Sequence, residues 1–134
     1  MHSPIITLSS VEIPISDLKR AIGWYEQALG YSCTWSDQHH AMLVNENNAS
    51  STKIFLVETN DALRLEFHST HTGIMHSAID FETDDLEKAH AHLASFVPGL
   101  EAIPQPATEW APRGFGFHDS EGNRLAIFSF GKPA

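Results

Sequence analysis

A chain of 134 residues with 42% hydrophobic content is long enough to bury one core without disulfides or a structural metal. Eight Lys and Arg against seventeen Asp and Glu leave a formal charge of −9, which offers no basic patch to a phosphate backbone and is repelled by an anionic membrane. The single cysteine, Cys33, has no internal disulfide partner, MHSPIITLSS lacks the basic and apolar regions of a secretory signal, and no apolar run spans a bilayer, so a cytoplasmic protein with no nucleic-acid and no membrane partner is expected.

In chain order, VEIPIS (11–16) alternates Val11, Ile13 and Ile15 with polar or small residues, the pattern of a half-buried strand. Asp17 then fits an N-cap, and Leu18, Ala21, Ile22, Tyr25, Ala28 and Leu29 recur at helical spacing until Gly30. YSCTW, HAMLV and TKIFLVE read as strands, with NENNASST (45–52) as a loop between the last two. From His76 the plan repeats: Ile79 and Phe81 alternate, Asp84 and Glu87 fit a capping box, Leu86, Ala89 and Leu93 form a helical stripe, and Pro98 closes it. A Pro-rich segment, IPQPA (103–107), leads to the strands RGFGFHD and NRLAIFSF, joined by a DSEGN turn (119–123). The Asp-Leu pairs at 17–18 and 85–86 mark equivalent helix starts, and so short an internal repeat implies halves that share one core.

This duplicated plan, with DLKRAIGWYEQALGY in one half and FHDSEGNRLAIF in the other, resembles the vicinal oxygen chelate superfamily, the glyoxalase, bleomycin-resistance and extradiol-dioxygenase group. The likeness runs over about residues 5 to 130. It implies an α+β fold in a single domain over 1–134, built of two βαβββ modules (5–67 and 74–130) whose sheets curl into an open barrel-like pocket, often completed by a homodimer.

The resemblance also implies four metal-ligand places. They fall on Ser10, on a carboxylate that is Glu58 or Glu66, on His76 and on Ala126. His76 and Glu58 are therefore the candidate metal ligands, two of four, where lasting sites have three or more protein ligands. A set of Glu12, Glu58 and His76 is the alternative, though it needs the metal to shift by one strand step of about 7 Å. For His76 the competing reading is a hydrogen-bonded, pocket-lining side chain. His2, His39, His40, His71, His90 and His92 are read as solvated side chains in turns, a helix or the terminus.

Strand alternation extends the candidate pocket. If Ser10 and His76 face it, so do Glu12 and Asp80, and the last strand adds Arg124, Ala126 and Phe128. Trp35 and Trp110 are candidate walls for a flat or cationic ligand, with core positions as the alternative; Trp24 and Tyr25, on the helix, read as core. Arg124 would pair with Glu12 or Asp80 in the plainest arrangement.

Two functions compete. One is a glyoxalase/bleomycin-resistance-like protein that binds a small organic molecule, with a degenerate metal site, no cofactor and no catalytic residue. The other is a lyase, isomerase or thiol transferase of the glyoxalase type that depends on a divalent metal (Zn, Ni, Mn or Fe) held by His76 and Glu58. Metal-free acid–base chemistry by Glu12 or Asp80 with His76 is a third arrangement. Cys33, in an apolar strand, reads as inert.

Overall fold

The computed structural model describes residues 3–105 and 111–130. It divides into two compact units, Met1–Ala62 and Leu63–Ala134.

In the first unit, strand β1 (Ser10–Ile15) leads into helix α1 (Leu18–Leu29), followed by β2 (Ser32–Ser36), β3 (His40–Val44) and β4 (Lys53–Glu58). The helix begins where expected: Asp17 is extended and its carboxylate accepts the Arg20 N–H at 3.0 Å. It ends at Gly30, whose φ of 73° suits a residue without Cβ and lets its N–H return to Glu26. The sheet runs β1-β4-β3-β2, with β1 parallel to β4, so this unit is a complete βαβββ module.

Register separates its two faces. Ile13, Leu56 and Ala41 form one cross-strand row, and Val11, Ile54 and Leu43 the next. These residues, Val11 being half-buried at the edge, pack with Leu18, Ala21, Tyr25 and Ala28 of α1 as the core; Ile13, Leu56, Ala41 and Tyr25 are fully buried. Each large aliphatic side chain so covered contributes about 1.5–3 kcal/mol. Tyr25 sits in that core with Trp24 edge-on to its ring, centroids 5.0 Å apart.

In the second unit, β5 (Phe67–His68) pairs with β6 (Met75–His76) as a short antiparallel ladder. A separate sheet has β7 (Ile79–Glu82), β9 (Arg124–Ser129) and β8 (Arg113–His118) in that order, with helix α2 (Leu86–Leu93) between β7 and β8. Ile79, Leu125 and Phe117 make one row and Phe81, Ile127 and Phe115 another. Leu86 and Leu93 of α2 are buried with them, and the His90 ring meets Phe115 edge-on at 4.9 Å.

Four details differ from the sequence expectation. The N-cap of α2 is Asp85, whose carboxylate accepts the Lys88 N–H at 3.1 Å, not Asp84; the Asp-Leu pair was the better signal. The helix stops at Ala94, ahead of Pro98. His76 does not open the long strand of the second half but lies in the two-residue β6, with Ser77 and Ala78 breaking the chain before β7. Among the described residues the second sheet also has three strands rather than four.

The DSEGN turn is held from within. Asp119 Oδ1 accepts the N–H groups of Glu121 and Asn123 at 2.8 and 2.9 Å, and Asn123 Nδ2 donates to Asp119 Oδ2 at 2.9 Å. Asn123, fully buried, also accepts the Leu65 N–H at 2.9 Å, and Arg64 donates to the Glu121 carbonyl at 2.8 Å.

Candidate functional site

The four-stranded and the three-stranded sheet each have one face under a helix and one turned away from it. On the open face of the first sheet, Trp35, Met42, Phe55 and Glu12 stand side by side in a single row across β2, β3, β4 and β1. A register irregularity between Cys33 and Trp35 brings the indole into this row, where it is 51% exposed. Met42 and Phe55 are half-buried and Glu12 is exposed. The His40 ring stacks on Phe55, centroids 5.6 Å apart and planes 11° from parallel. Two of the residues expected from sequence, Glu12 and Trp35, are thus brought together, and Phe55 and Met42 join them. The alternation of KIFLVE held the signal for Phe55, which is out of phase with the core residues Ile54 and Leu56.

Glu58 lies on the other face. Its parity is that of Ile54 and Leu56, toward α1. There Oε2 accepts the Leu18 N–H at 2.9 Å and Oε1 lies 2.9 Å from His39 Nδ1. The His39 hydrogen bond, followed by that of Leu18, holds the Glu58 carboxyl below its ordinary range. Asp37 in the same turn is likewise lowered, first by the His39 N–H and with help from His40, whose Nδ1 is 2.9 Å from Oδ1. His39, Glu58, Thr59 and Asn60 line a shallow cleft of about 220 Å³. Through Glu58, His39 fastens the β2–β3 turn to the start of α1.

On the open face of the second sheet, Asp80, Ala126 and Gly116 form one row, Glu82, Phe128 and Gly114 another, and Arg124 pairs with His118. Three of the expected residues, Asp80, Arg124 and Phe128, therefore share this face. The glycines make room for their neighbours on β9: a Cβ on Gly114 would come within 2.3 Å of the Phe128 ring, and one on Gly116 within 2.8 Å of Arg124 Nη2. Asp80 accepts the Ser77 hydroxyl at 2.7 Å, and His118 Nε2 lies 3.3 Å from Glu66 Oε2. Among the described residues Arg124 has no carboxylate partner, so the expected pairing with Asp80 is not formed. Phe115 and Phe117 face α2 as core. On the same side Arg113 meets Glu87 at 2.8 Å; the Glu87 carboxyl is lowered first by its own backbone N–H and then by this guanidinium. Trp110 lies outside the described residues.

The comparisons with known proteins bear on the whole of this architecture. The family model of the Glyoxalase/Bleomycin resistance protein/Dioxygenase superfamily matches residues 7–127. The chain belongs to that superfamily. A curated relative, the uncharacterized protein YraH of Bacillus subtilis (strain 168), is 21% identical over 123 residues, covering 90% of this chain and 96% of YraH. Among solved structures, TnmS3, an antibiotic binding protein from Streptomyces sp. CB03234, matches with a TM-score of 0.69 at 19% identity, over 97% of this chain and 100% of that one. FosX, a fosfomycin resistance protein from Listeria monocytogenes, matches with a TM-score of 0.73 at 11% identity, over 96% of each chain. Lactoylglutathione lyase from Agrobacterium tumefaciens matches at 0.66 and 12%, over 95% and 96%. At these identities the likeness is one of fold, and the α+β superfamily fold is the fold of this chain.

Set against the metal centre implied for this superfamily, the donors fit poorly. Ser10 offers a neutral hydroxyl and Ala126 nothing; the Glu58 carboxylate is engaged by Leu18 and His39 on the helix side of its sheet. His76 is exposed, its ring stacked on Phe67 with centroids 5.3 Å apart. Glu66, the other candidate carboxylate, lies against His118. Among the described residues no group of three or more His, Cys, Asp or Glu side chains is gathered as a cation would need. No helix among them is long and apolar enough to cross a membrane.

Proposed function

We propose that this superfamily member binds a small organic molecule on the open faces of its sheets, with the metal site of its relatives degenerate. The row Trp35, Met42, Phe55, Glu12 carries the proposal. It sets an exposed indole, a polarizable thioether and a phenyl ring beside a carboxylate, the materials that hold a flat ligand bearing a cationic or hydroxyl-rich group. The antibiotic binding described for TnmS3 is the kind of activity this face supports. Ser10 and Ala126 at two of the implied ligand places weigh against metal-dependent lyase or transferase chemistry.

A cytoplasmic homodimer belongs to the same proposal. Ile5, Ile6 and Leu8, just before the sheet-edge strand β1, are 92, 88 and 71% exposed, apolar surface of the kind a second copy covers. Sedimentation of the full chain at micromolar concentration tests this part, and a monomer would remove it.

The binding test is titration of the full chain with doxorubicin, whose planar aromatic ring system carries a cationic amino sugar, followed by calorimetry. Saturable binding is expected, weakened at least tenfold in Trp35→Ala and several-fold in Glu12→Gln. Binding indifferent to both variants, or none, would overturn it. Parallel titrations of Mn²⁺, Ni²⁺ and Zn²⁺ into the parent chain and His76→Ala address the rival: stoichiometric metal lost with His76 would restore the metal-dependent enzyme.

A further inference from the structure

The second sheet presents an arginine that meets no carboxylate among the described residues. Arg124 is half-buried on the open face, and the acids nearest in the ladder do not reach it. Asp80, one row along, takes the Ser77 hydroxyl, and Glu66 takes His118, the residue paired with Arg124 across β8 and β9. Glu82 stands beside Phe128, at the other end of β9. In a chain of charge −9 with only eight Lys and Arg, a half-buried guanidinium that makes no carboxylate contact among the described residues keeps its fork of donors available to an anion.

The backbone under it is shaped for the purpose. A Cβ on Gly116 would meet Nη2 at 2.8 Å, Cζ at 3.2 Å and Nε at 3.5 Å. All three atoms therefore lie close over the β8 backbone, and the guanidinium is laid down along the sheet instead of reaching into solvent. Gly114 gives the Phe128 ring the same space two residues away. The alternation Gly114, Gly116 thus produces a shallow shelf with a planar cationic fork at one place and an aromatic ring at another. A planar fork matches a carboxylate with two parallel hydrogen bonds, which an ammonium does not.

We propose that Arg124, seated over Gly116, receives the carboxylate of a small organic acid on the open face of the second sheet. The proposal rests on the small-molecule reading above and adds a ligand class to it. It concerns the second sheet alone and holds whatever stacks on Trp35.

The test uses the full-length chain labelled with ¹⁵N and titrated with benzoate and with benzamide, its uncharged counterpart of nearly the same shape. Benzoate is expected to shift the Arg124 Nε–H and the Gly116 N–H resonances saturably, and benzamide to bind at least tenfold more weakly. Arg124→Gln should abolish the benzoate response, Arg124→Lys should restore little of it, and Gly116→Ala, which lifts the guanidinium off the sheet, should weaken it several-fold with the fold intact by circular dichroism. Equal responses to the two probes, survival of the benzoate response in Arg124→Gln, or no saturable shift would each overturn the proposal. Doxorubicin added to the same samples separates the two failures. Trp35-dependent binding of doxorubicin without a benzoate response removes the carboxylate site alone, whereas silence toward both removes the small-molecule reading as well.

Discussion

Glu58 accepts the backbone N–H of Leu18 at 2.9 Å across a sequence separation of 40 residues. The last residue of one strand thereby satisfies the first N–H of α1, while Asp17 satisfies that of Arg20, so two of the four orphan donors of the helix are met by carboxylates at its positive end. Because the Glu58 carboxyl is held below its ordinary value of 4.5, its contribution to stability is present above that pH and is lost as the pH falls through the lowered value.

Glu58→Gln should therefore lower the melting temperature at neutral pH and flatten its acid dependence. Between about pH 5 and about pH 3 the parent should lose stability more steeply than the variant. Part of the slope remains, because Asp37 and Glu87 are also lowered. Melting temperatures across that range make the comparison, and equal slopes would mean that Glu58 gains nothing from His39 and Leu18.

Asn123 is fully buried and joins the DSEGN turn to Leu65 through a side-chain carbonyl and amide. Asn123→Ala leaves the Leu65 N–H and the Asp119 carboxylate short of a partner, and should cost about 1–3 kcal/mol. In urea the midpoint should fall with the slope unchanged.

Gly114 and Gly116 should respond differently to alanine. At Gly114 the added Cβ meets the Phe128 ring at 2.3 Å and the Ile127 carbonyl oxygen, which is backbone, at 2.6 Å; Gly114→Ala should cost about 1–3 kcal/mol by overpacking. At Gly116 it meets only the movable end of Arg124, so Gly116→Ala should stay within about 0.5 kcal/mol of the parent, as surface changes do. Chemical denaturation of the two variants side by side decides the order.

Leu56 and Trp35 make a similar contrast between core and open face. Leu56→Ala empties a fully buried place under α1 and should cost about 2–5 kcal/mol. Trp35→Ala, at a side chain that is 51% exposed, should cost less than Leu56→Ala while weakening doxorubicin binding at least tenfold. A large loss of stability in Trp35→Ala would make the indole a structural residue.

Much of this protein is written locally. Asp17, the stripe from Leu18 to Leu29 and Gly30 determine α1, because caps and apolar period act within a few residues. Alternation in VEIPIS and KIFLVE determines two strands and which of their residues share a face, and Asp119 to Asn123 determine a turn whose hydrogen bonds close within five residues. These segments, in order, also carry the family resemblance. Tertiary structure decided the rest, where partners come from distant positions. Parity alone puts Glu58 with Ile54 and Leu56, but only the packing of α1 supplies the Leu18 N–H that occupies its carboxylate. His76 has the spacing of a strand-opening ligand; pairing of β6 with β5 and the break at Ser77 and Ala78 take it out of that strand and set it against Phe67. That Asp80 accepts from Ser77 and Glu66 lies against His118, while Arg124 meets no carboxylate among the described residues, is a choice of side-chain partners that spacing along one strand does not encode.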